Sequence, residues 1–103
     1  MNINTTLILG NSTPLSVHAA TENKYGDIRL TLSDALLKQL SALSGFPVSE
    51  VTMVEHDFTF TLVAERTGAH RALSMADCES NAQCFNITNQ AEAAQLYSLV
   101  TGF

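Results

Sequence analysis

Glu55-His56-Asp57 is the densest cluster of ionisable groups in the sequence. A histidine between two carboxylates offers two chemistries: general acid–base catalysis near neutral pH, or donors to a metal ion. The spacing opposes both. Successive residues of a strand point to opposite faces, so three in a row do not converge on one atom. Histidine and aspartate also tolerate the left-handed backbone of a two-residue hairpin loop, although the glycine common there is missing. The cluster reads as a turn that carries charge.

The remaining candidates are more scattered. His18, His70, Cys78 and Cys84 show no paired ligand clip of the C-x2-C or H-x3-H kind, so no metal site is expected. Cys78 lies between Asp77 and Glu79, and two neighbouring carboxylates disfavour the thiolate that a nucleophile requires. No serine sits in a Gly-x-Ser-x-Gly elbow, and Ser33 ahead of Asp34 is better used as a helix cap. Arg66, His70 and Arg71 make the one basic patch, with Glu65 expected to pair across from His70. No glycine-rich phosphate loop accompanies them. Catalytic residues, cofactors and metal ligands are therefore expected to be absent. A small metal- or ligand-dependent enzyme using His56, His70 and Cys78 stands as the least favoured alternative.

Composition narrows the partners. The chain has 103 residues, ten acidic against five basic, for a net charge of −5 and a pI near 4.9. This length makes one domain, residues 1–103, large enough to bury a core without a metal or disulfide. The charge repels nucleic-acid phosphates and anionic membranes and favours a protein with a basic surface. The first residues lack a basic region and an apolar run of signal length, so a cytoplasmic location is expected, with Cys78 and Cys84 as free thiols.

The elements that position these groups follow from periodicity and punctuation. Thr5 to Leu9, Leu15 to Thr21 and Ile28 to Leu32 read as strands separated by turn clusters. In the second of them Leu15, Val17 and Ala19 share a face. A helix follows, with Ser33 as N-cap, Gly45 at the left-handed C′ position, and Leu36, Leu37, Leu40 and Leu43 as its apolar stripe. Val51 to Ala76 then reads as a three-stranded meander with turns at His56-Asp57 and Thr67-Gly68. In that register Met53 faces Phe60, which faces Met75, and Val51 faces Leu62, which faces Leu73. The polar face collects Thr52, Thr59 and Thr61. Cys84 to Ile87 is a further short strand. A second helix is predicted from Gln90 to Thr101, with Asn89 and Glu92 at capping-box spacing.

The expected fold is α+β: an antiparallel sheet of five to six strands with two helices on one face, in the order βββ-α-βββ-α. The similar endings Leu43-Ser44-Gly45-Phe46 and Val100-Thr101-Gly102-Phe103 raise a duplicated βββα unit as an option.

With no catalytic constellation, the leading expectation is a protein-binding module, a stoichiometric inhibitor or neutraliser of a basic or nucleic-acid-binding protein. It would use an acidic sheet end made of Glu55, His56, Asp57, Asp77 and Glu79 and would not touch nucleic acid or membrane directly. Immunity proteins and phage-encoded inhibitors of host defence are similar in type, though no motif carries that likeness. A homodimer or other homo-oligomeric accessory subunit is the runner-up.

Overall fold

The computed structural model describes residues 2–66 and 82–102. Six strands, β1 (Asn2–Ile8), β2 (Pro14–Glu22), β3 (Ile28–Thr31), β4 (Val48–His56), β5 (Thr59–Arg66) and β6 (Ala82–Asn86), form one antiparallel sheet in sequence order. Helix α1 (Asp34–Ser44) joins β3 to β4, and α2 (Gln90–Thr101) follows β6. Among the described residues the order is the expected βββ-α-βββ-α.

The sheet curls until its first and last strands meet at one end. Leu9 bridges Ile87, Gly10 N–H donates to the Asn86 carbonyl at 2.9 Å, and Thr88 N–H donates to the Ile8 carbonyl at 2.7 Å. The result is a half-barrel pinched shut at that end. Its core takes Leu7, Leu15, Val17, Ile28, Met53 and Leu62 from the sheet, Leu40 from α1, and Ala93 and Leu96 from α2. One apolar cluster thus serves both helices, and burial of that surface is the main stabilising term. Among the described residues no helix is long and apolar enough to cross a membrane.

Local signals set the helix ends. Ser33 Oγ accepts from Leu36 N–H at 3.3 Å, Asp34 occupies the first turn, and Gly45 sits at φ 80° with its N–H on the Ser41 carbonyl. At such a φ a side chain is strained, which explains the glycine. Leu43 proves 47% exposed and leaves the predicted stripe. Helix α2 ends in the same way on Gly102 at φ 83°. Ser41 links α1 to the next strand: its hydroxyl donates to the Leu37 carbonyl and accepts from Val48 N–H, both at 2.8 Å. Ser41→Ala leaves a part-buried amide without that acceptor and is expected to cost about 1–2 kcal/mol, measurable by urea denaturation.

In β4 and β5 the strand faces were readable and the register was not. Met53 pairs with Leu62 and Val51 with Ala64, so each partner lies two residues further along than the expected Phe60 and Leu62. A shift of two keeps every side chain on its own face, and the face pattern cannot distinguish the two registers. The strand beside β5 is also different. Leu62 pairs with Phe85 and Glu65 with Ala82, so β4 and β6 fill both edges of β5. Met75, Leu73 and His70, the partners expected for Phe60, Leu62 and Glu65, lie outside the described residues. In β2 it is Ala20 that joins the core, because it lies opposite the buried Leu30. The face expected to be polar is partly covered as well, for Thr52, Val63 and Glu65 are all buried.

Candidate functional site

Two residues, Asp57 and Phe58, make the loop between β4 and β5, and the last pair of the ladder is His56 with Thr59. Both loop residues have positive φ, 51° and 64°. That is the backbone of a two-residue primed turn, whose twist matches the strands it joins. The turn falls one residue later than expected, so Asp57 takes a left-handed position and His56 does not. The other position falls to Phe58, a bulky residue where glycine or asparagine is usual. A left-handed non-glycine residue costs about 1–2 kcal/mol. Glu55 offsets part of this, since its Oε1 accepts the Phe58 N–H at 3.0 Å.

The Phe58 ring gains nothing from that conformation within its own molecule. Phe58 is 93% exposed, against 56% for Tyr25 and 55% for Leu99, the next most exposed large apolar residues described. Beside it, His56 Nε2 lies 3.3 Å from Asp57 Oδ2, with the two side chains 89% and 88% exposed. Solvent screens a pair so exposed. Residues 55–58 hold two carboxylates and no lysine or arginine. The tip therefore presents an exposed aromatic ring beside two carboxylates.

Glu55 and His56 end β4, and Asp57 opens the turn that follows. Asp77 and Glu79 lie outside the described residues, as do His70 and Cys78. Sequence reasoning missed Phe58, because the expected register placed it within a strand. Among the described residues no group of three or more His, Cys, Asp or Glu side chains could hold a metal ion.

At the pinched end of the half-barrel, two side-chain amides substitute for strand backbone. Asn89 Oδ1 accepts from Ile8 N–H at 2.8 Å, and its Nδ2 donates to the Thr6 carbonyl at 3.0 Å. Gln90 Oε1 accepts from Phe60 N–H at 2.8 Å, while its Nε2 donates to the carbonyls of Phe60 at 2.9 Å and Ile87 at 2.6 Å. Asn89 consequently makes no side-chain cap on α2. The expected capping box gives way to a clasp across the sheet ends, because Asn89 satisfies the edge of β1 instead. The clasp fixes the strand from which the Phe58 tip projects.

Compared with protein-family models, curated proteins and solved structures, the chain gives no match.

Proposed function

We propose that this protein is a binding module that engages a protein with a basic surface through the β4–β5 tip, acting as a stoichiometric inhibitor or neutraliser. One observation carries the reading: Phe58 is held in a strained conformation and is almost fully exposed, in the same turn as the carboxylates of Glu55 and Asp57. Strain of this kind concentrates where a surface has a task beyond stability. Buried aromatic residues are also frequent anchors of protein interfaces. The neighbouring charges supply orientation and association rate toward a positive partner.

The test begins with capture of the partner from the native host, followed by titration of the two purified proteins. Glu55→Lys and Asp57→Lys should each weaken binding by about 1 kcal/mol, and added salt should weaken it further. Affinity that survives both reversals and high salt rules out a role for these carboxylates. In the finer architectural reading, the two βββα halves are copies of one unit whose helices share a face. The matching glycine stops at Gly45 and Gly102 support this reading.

A further inference from the structure

We infer that a cleft between β3 and β4, at the opposite end of β4 from the hairpin tip, binds a small zwitterionic ligand of the amino-acid type with an apolar side chain. The ladder between these strands ends at Leu30 with Val51, although β4 continues against β5 as far as Val48. Beyond that pair β3 turns away into Ser33 and α1, and a bulge interrupts β4 between Val48 and Glu50. The divergence leaves a cleft of about 270 Å³.

Its lining determines the ligand chemistry. Arg29 and Glu50 both line it, with Nε and Oε1 3.7 Å apart and their side chains 61% and 39% exposed. A well-formed charge-assisted hydrogen bond is about 2.7–2.9 Å, so this pair is loose. It can open to meet a carboxylate at the guanidinium and an ammonium at Glu50. Thr21, Thr31 and Ser49 supply hydroxyls, and Leu37 from α1 contributes apolar surface. The volume lies just under the roughly 300–1,000 Å³ of pockets for drug-sized molecules, which selects a smaller occupant. The net charge of −5 opposes a ligand that is anionic overall, whereas a zwitterion carries no net charge. Opposite charges side by side, with apolar surface next to them, match the three parts of an apolar amino acid.

Isotope-labelled protein titrated with free leucine, followed by amide NMR, tests the assignment. Leucine should shift the amides of Arg29 to Leu32 and Ser49 to Val51 saturably, with a dissociation constant of about 1 mM or below. Acetate, methylammonium and leucine blocked at both ends each lack one charge or both, and none should saturate these shifts. Arg29→Gln and Glu50→Gln should each weaken leucine binding about tenfold or more, since each removes a charged hydrogen-bond partner. The proposal is overturned by an absent or non-saturating response to leucine, by an equal response to acetate or to blocked leucine, or by variants that bind as tightly as the parent. The blocked ligand keeps the test decisive even where a variant folds poorly.

Discussion

Gln90→Ala is expected to destabilise the protein by about 2–4 kcal/mol, more than any other single polar substitution at the sheet ends. The reason is the number and placement of the groups it abandons. Gln90 contributes three hydrogen bonds, two of them to the backbone of Phe60, a residue only 7% exposed. Beyond Thr61, which pairs with Asn86, β5 has no further β6 residue in its ladder, and the Gln90 amide takes the next position. Alanine leaves one N–H and two carbonyls in a setting that water reaches poorly, and an unsatisfied buried group costs more than a made bond gains. For a domain of this size the loss corresponds to a fall in Tm of about 10–20 °C. Asn89→Ala provides the internal comparison. Its partners lie on the more open edge of β1, where solvent can replace the amide, so about 1 kcal/mol is expected. Gln90→Glu keeps the acceptor for Phe60 N–H but faces two carbonyls without a donor, and it should behave more like alanine than like glutamine. Calorimetry and native-state hydrogen exchange at Phe60 would report the effect. A Gln90→Ala protein as stable as the Asn89→Ala protein would show that the clasp holds nothing that solvent cannot replace.

The contrast between those two amides shows what the sequence could disclose. Helix α1 was legible because its signals are local: Ser33 caps Leu36, Gly45 takes the left-handed position, and Pro47 follows. The faces of β4 and β5 were legible because alternation survives any register that shifts by two, whereas in β2 the core face passes from Val17 to Ala20 and simple alternation missed it. Register itself was hidden, since it depends on contacts from far along the chain. Phe60 is fixed by Gln90, thirty residues away, and β5 by a β6 that begins sixteen residues after β5 ends. Asn89 at capping-box spacing was a correct local signal overridden by a tertiary partner, the open edge of β1. The candidate site divides along the same line. Glu55, His56 and Asp57 were visible as a charged turn, while the exposure of Phe58 depends on which two residues form the loop. Burial of Thr52, Val63 and Glu65 on the second face of the sheet was likewise invisible to alternation, which records that a face is distinct but not whether it is covered.

Phe58→Gly should move stability and binding in opposite directions, which makes it the sharpest test of the tip. Glycine adopts φ near 64° without a Cβ penalty, so relief of strain is expected to raise stability by about 1 kcal/mol, diminished by glycine's greater freedom in the unfolded chain. Truncation removes no packing from the folded protein, because the ring is 93% exposed. An aromatic retained only for structure would thus be improved by its removal. An interface anchor gives the other sign: losing a buried aromatic contact costs about 2 kcal/mol or more of binding energy, roughly thirtyfold in Kd. Phe58→Ala separates the two contributions, since it removes the ring while keeping a Cβ at positive φ. It should lose as much affinity as glycine with little gain in stability. Phe58→Tyr, which keeps a ring of similar shape, should retain most of the binding. The measurements are urea denaturation of each variant and titration against the captured partner. A more stable Phe58→Gly protein with undiminished affinity would separate the strain from the interface and remove the tip as the binding site. A less stable one would mean that the ring supports the hairpin, despite its exposure, and that the left-handed turn needs no functional explanation.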